Sequence, residues 1–449
     1  MNRFFRSLFV VALAIGVVSG CSESDRPEAS GKAALLAING IVDAPDATFL
    51  IEERSLGATS FGNATQASRY DDLSYTFNFD IFVPGEASRR RLASQTLDVV
   101  RDKAYLFVLG GSIAAPSIYL FEEDERLWDG TETVFELSLV HANNTLGAID
   151  VYFAEPGVAP VAGNEIASVN LGERVPKAEY ATGEYVLTVT AAGEPQTILY
   201  TSETRTWTPA RTDTVVILDS NPSRTGGVTA SLITAAGGSV LLTDPRFPPA
   251  ARVLHAAEGV GNIDLAENSD FDNLIASNLA FAELTGDLPL TAGTNTYTFT
   301  DAGNQGAPLV EEEFTISAGA NQTLTLVGPP GEPDILATVS VRRPFAASGR
   351  LNFVNAASSF EAVDIYLLDA GTAIDEEAAY FSFAEFKSAV PLAAVEAKDY
   401  ELTITLFGEK TVLAGPIPLA ISNRELLEIF ILDTADPSVA QVKIIRYGP

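Results

Sequence analysis

Leu137-Ser138-Leu139-Val140-His141, with Ile149-Asp150-Val151-Tyr152 close behind, is the stretch that decides the fold. Side chains alternate between two faces, and Val, Ile, Leu and Tyr dominate, which is the pattern of strands rather than helices. The stretch is one of four. Leu35-Leu36-Ala37-Ile38-Asn39 is followed by Ala47-Thr48-Phe49-Leu50, Arg252-Val253-Leu254-His255 by Ile263-Asp264-Leu265, and Leu351-Asn352-Phe353-Val354-Asn355 by Val363-Asp364-Ile365-Tyr366. In every copy a polar residue ends the first run and another opens the second nine positions later: Asn39 and Thr48, His141 and Asp150, His255 and Asp264, Asn355 and Asp364. The first members lie 102, 114 and 100 residues apart, a repeat long enough for one domain each.

More of each unit recurs. Runs led by Tyr75, Tyr185, Tyr297 and Tyr400 end near Gly85, Gly193, Gly303 and Gly408. Apolar runs follow at 104–109, 214–218, 323–327 and 426–432, and a last set at 117–121, 228–233, 335–341 and 439–445. Gly, Pro, Asn and Asp cluster between the runs as turns. Helical spacing is confined to two short candidates, 271–280 and 376–387. The expected fold is therefore all-β, with four tandem β-sandwich domains, immunoglobulin-like or similar. The units are expected at 33–128, 134–243, 251–342 and 349–449. The joins carry linker composition, most plainly Pro245, Pro248 and Pro249 between units two and three.

Ahead of the repeats, Arg3 and Arg6 precede an apolar stretch from 7 to 18, too short to span a bilayer as a helix and placed as a signal segment over 1–20. Val18-Ser19-Gly20-Cys21 resembles a lipobox, where bacterial lipoproteins are cleaved and acylated on cysteine. That resemblance implies a lipid, palmitate included, on Cys21, with 21–32 as a tether. Ser22 in place of Asp is similar to the outer-membrane default. Cys21 is the single cysteine, so no internal disulfide is available and core burial must hold the fold. A net charge of −31 opposes nucleic-acid binding, which depends on cationic side chains against phosphate.

The combination of Leu139-Val140-His141-Ala142, Ile149-Asp150-Val151-Tyr152, the Asp43-Ala44-Pro45 turn and Gly183-Glu184-Tyr185-Val186 resembles the domain of unknown function 4397 (DUF4397). The resemblance extends over all four units and is clearest in the second. Units one, three and four depart from it: Asn39 and Thr48 replace the His and Asp, no tyrosine follows Leu265, and unit four lacks the Ala-Pro turn. Such domains recur in tandem in exported bacterial proteins, and the resemblance implies no activity.

The polar pairs are the residues whose composition could carry chemistry. His141/Asp150 and His255/Asp264 have the composition of an acid–base dyad, but Asn39/Thr48 and Asn355/Asp364 keep hydrogen-bonding capacity without an imidazole to transfer a proton near neutral pH. The eight residues are therefore read as structural, each pair tying the end of one strand to the start of the next. His141 shares the strand face of Leu137 and Leu139, which places it towards a core. No catalytic residue, cofactor site or metal site is assigned. The two histidines lack zinc spacing, and Asp270-Phe271-Asp272-Asn273 lacks the glycine and glutamate of a calcium loop. The acidic runs at 122–125, 311–313 and 375–377 read as solvated loops or strand ends, and Trp128 and Trp207 as core or rim. The expected function is that of a non-catalytic envelope lipoprotein, held to the outer membrane through Cys21 and displaying β-domains to a protein or glycan partner. Carbohydrate binding through clustered exposed aromatics and a carboxylate-dependent hydrolase are the alternatives.

Overall fold

Strand-forming runs of this kind have unpaired backbone groups until they meet neighbours, and the computed structural model, which describes residues 28–447, pairs them into eight small sheets. The first unit contains β1 (Lys32–Asn39), β2 (Ala47–Ile51), β3 (Arg54–Thr59), β4 (Ser68–Asp71), β5 (Ser74–Ile81), β6 (Arg90–Asp98), β7 (Lys103–Ser112) and β8 (Ala115–Asp124). They form two sheets, in the orders β4-β1-β7-β8 and β3-β2-β5-β6. β1 and β7 pair in parallel, and the remaining neighbours are antiparallel. The same plan recurs in the three following segments. Their parallel pairs are Val134–His141 with Thr212–Leu218, Ala250–His255 with Asn321–Val327, and Gly349–Asn355 with Leu426–Leu432. Unit two adds the strands Arg205–Trp207 and Ser239–Leu242.

Each unit has its own apolar core between its two sheets. In unit one Leu35, Ala37, Phe49, Phe77 and Phe107 meet there, and the other units match it. The parallel pair in each unit is buried on both faces. Its inner face serves the unit's own core, and its outer face packs on the adjacent unit. Ile38, Phe61 and Val108 of unit one join Val140, Ala142, Val216, Leu218 and Ile233 of unit two. Leu254, Ala256, Val327 and Leu336 of unit three join Val354, Ala356, Phe430 and Leu432 of unit four. This double burial explains why 426–432 is a continuous apolar run broken only by Glu428. Units one and two thus form one stacked pair, and units three and four another.

The two pairs touch mainly through polar contacts, with Ala347 also packed on the unit-one core. Thr225 N–H donates to Gly319 O at 2.9 Å between units two and three. Arg343, ahead of unit four, donates to the carbonyls of Val42 and Ala44 in unit one, and Ala346 N–H donates to Asp43 O at 2.8 Å. Three successive carbonyls of the Asp43-Ala44-Pro45 turn region are thereby held.

The two helical candidates are strands and turns. Ala276–Leu279 pairs with Ile263–Glu267, and Phe381–Glu385 pairs with Ala362–Leu368. The residues around them take left-handed backbone at Asn268, Ser269, Asn278, Phe383 and Lys387, which a helix cannot accommodate. The acidic run 311–313 is also not a loop or strand end. It lies mid-strand in Pro308–Ile316, an edge strand with alternating exposure. The signal segment and Cys21 lie outside the described residues.

Candidate functional site

The four polar pairs lie at strand ends and hairpins. Among the described residues no hydrogen bond joins the two members of any pair; each member has its own partners. His141 is fully buried at the end of its strand. Its Nε2 donates to Gly147 O at 2.9 Å, and its Nδ1 accepts Asn143 N–H at 3.3 Å. That pattern fixes the neutral Nε2–H tautomer, and burial holds the imidazole below its ordinary value. His255 Nε2 donates likewise to Gly261 O at 2.9 Å, and burial lowers it too. Asn355 repeats the scheme with its amide, Nδ2 donating to Ala384 O and Oδ1 accepting Ala357 N–H. Asn39 donates to Pro45 O and Thr59 O and accepts Ile41 N–H.

The second members are hairpin clamps. Asp150, Asp264 and Asp364 accept the backbone N–H of Gly193, Gly303 and Gly408 at 2.7, 2.8 and 3.0 Å. Those glycines have φ of 75°, 74° and 72°, the left-handed region that a side chain resists. The other oxygen of each aspartate receives the neighbouring short strand, from Ser168 Oγ, from Asn278 N–H at 2.7 Å, and from Ser382 Oγ and Phe383 N–H at 2.7 and 3.0 Å. In unit one Thr48 stands in the aspartate's place and accepts from Arg89 instead. The clamps hold loops, and their donors and acceptors are already occupied.

Trp207 is buried against Phe135, with ring centroids 5.1 Å apart. Trp128 lies at a rim, its Nε1 donating to Thr212 Oγ1 at 3.2 Å and Arg126 above its ring at 3.7 Å. Asp270 caps a turn by accepting the amides of Asp272 and Asn273. Among the described residues no group of three or more His, Cys, Asp or Glu is placed to hold a metal ion.

Sequence reasoning missed two features of the unit interfaces. One is the Arg252–Glu428 ion pair between units three and four, buried on both sides and joined by Thr323, Ser340 and Tyr447 hydroxyls. Its signal was available: one charge of each sign interrupts an otherwise apolar run in two different units. The other is a cavity of about 80 Å3 between units one and two. Leu36, Leu106, Phe121 and Ile233 line it on the apolar side, with Thr214 and Ala235. Its mouth is ringed by Glu123, Arg126, Arg174 and Lys177. Arg174 meets Glu123 at 3.0 Å, and Arg126 and Lys177 meet Glu136 at 2.8 and 3.2 Å. Burial alone would raise the Glu136 carboxyl; hydrogen bonds from Arg126, Thr212 and Lys177 outweigh it and hold it low.

No curated protein matches the chain. A solved structure described as the Bacillus anthracis TIE protein is similar over 87% of this chain and 68% of that one, at 9% identity and a TM-score of 0.17. A family model, the domain of unknown function DUF4397, matches residues 249–366, so unit three and the opening two strands of unit four are similar to that family.

Proposed function

We propose that the chain is a non-catalytic envelope lipoprotein, anchored through Cys21, that presents four DUF4397-like β-sandwiches as one stiff body for interaction or scaffolding. The observation that carries the reading is the fate of the histidines. Both are buried, and each Nε2–H is spent on a turn carbonyl. A general base must reach a substrate proton, and neither ring is placed to do so. The apolar sequence before Cys21 and the lipobox-like residues support export and anchoring. The joined units support display, because a body whose modules are locked to one another holds surfaces at fixed separations. Proximity labelling in the native cell, with Cys21→Ala as the control, tests it. Labelling of outer-membrane neighbours that is lost in the variant is the expected result. A soluble chain with unchanged neighbours sinks the anchor.

A second reading, glycan binding, rests on one feature. Phe383 and Phe407 are each 48% exposed at one end of unit four, with ring centroids 4.7 Å apart. Phe383 holds a φ of 63°, a strained setting for an aromatic residue. A glycan array on the intact protein and on Phe407→Ala tests this, and an array without hits removes it.

A further inference from the structure

The two stacked pairs are built alike but differ in one layer of their interface. Three residues before the strand-end anchor, the outer face carries Leu36 in unit one, Ser138 in unit two, Arg252 in unit three and Asn352 in unit four. Their parallel partners are Leu106, Thr214, Thr323 and Glu428. Between units three and four this layer is filled: Arg252 and Glu428 form their buried pair, and Tyr447 donates to Glu428 at 3.1 Å and lies under the Arg252 guanidinium at 5.2 Å. Between units one and two the corresponding positions hold smaller groups. Ser138 and Thr214 bond each other at 2.9 Å, and Ala235 stands where unit four has Tyr447. The space those side chains leave is the 80 Å3 cavity, floored by Leu36, Leu106, Phe121 and Ile233.

We infer that this cavity is a binding site for one small, uncharged apolar group, of aromatic-ring or branched-alkyl size, whose polar end rests at the mouth. Size sets the upper bound: a water occupies roughly 10–15 Å3 on this scale, so the space holds several heavy atoms and no more. Charge sets the class. Each cation at the mouth is already paired with Glu123, Glu136 or Glu179, so an anionic head would have to break an existing ion pair. A neutral hydroxyl or amide can join that ring of charges without displacing any. Water on an apolar floor is poorly held, and an apolar group gains by displacing it.

The test is a fluorine NMR titration of the intact protein with 4-fluorobenzyl alcohol, compared with Ala235→Tyr, which copies unit four, and Thr214→Leu, which fills the same space from the other strand. Expected are a saturable shift in the parent protein in the millimolar range and a loss of affinity of at least about tenfold in either variant. A response that does not saturate, or that either folded variant retains, overturns the site. Should Ala235→Tyr fail to fold, Thr214→Leu decides alone.

Discussion

At the end of each unit's first strand the chain turns sharply, and one side chain must satisfy groups that the turn leaves unpaired. His141 does so with two ring nitrogens, and Asn39 and Asn355 do so with one amide. The equivalence predicts that His141→Asn unfolds within a few degrees of the parent. His141→Ala, which strands the buried Asn143 amide and leaves the Gly147 carbonyl without its donor, costs about 1–3 kcal/mol by urea denaturation. Acid separates them further. Both imidazoles sit below the free value of 6.5 because burial disfavours their charged form. Their stabilising contribution is complete above that value and is lost as pH falls below it, because the unfolded chain takes up the proton first. The His141→Asn, His255→Asn double variant should lose less stability than the parent between neutral pH and about pH 5.5, where free histidine still titrates. The carboxylates make a separate prediction: Asp264→Ala leaves the Asn278 and Gly303 amides unpaired and costs about 1–3 kcal/mol. These residues could be picked out in the sequence by recurrence, and their partners could not. Spacing of nine suggested that the members bond each other. The first member instead bonds its own turn, with Asn39 and Asn355 also reaching Thr59 O and Ala384 O, and the second bonds a hairpin 39 to 44 residues further on.

Among the elements, the parallel strands and the long antiparallel strands were legible because burial on one or both faces writes a regular apolar pattern. Two edge strands were not: Arg90–Asp98 and Pro308–Ile316 are half solvated, carry charges, and take their strand form from the neighbour that pairs with them. What passed unread in the long strands was that their outer faces also need cover. Glu428 in the run 426–432 marked that second surface. Removing one member of its pair leaves the other charged and dry, so Glu428→Ala should cost about 3–5 kcal/mol, whereas Arg252→Met with Glu428→Met should recover most of that loss. Thermal unfolding of the two variants beside the parent measures both effects. Gly40 makes a steric test of the other interface. A Cβ there would stand 2.7 Å from Leu109 O and 2.8 Å from a Leu218 methyl of unit two. Gly40→Val should therefore loosen units one and two from each other, seen as faster amide exchange in Val140 and Val216.

For the molecule as a whole, the contacts between pairs are of a different kind from those within them. Arg343 and Arg350 flank the Phe345 ring at 4.8 and 4.0 Å, both buried, and burial lowers both. Arg343→Ala removes the two hydrogen bonds to the unit-one turn. It should speed proteolysis between units three and four while leaving each unit's melting unchanged. The stacked faces have a consequence for how such a chain could have grown. A single added unit would arrive with an apolar outer face and nothing to lay it against, and a single lost unit would bare the same face on its former neighbour. Lineages that shorten or extend this architecture should therefore differ by two units at a time, and a chain with an odd count should be found as a dimer.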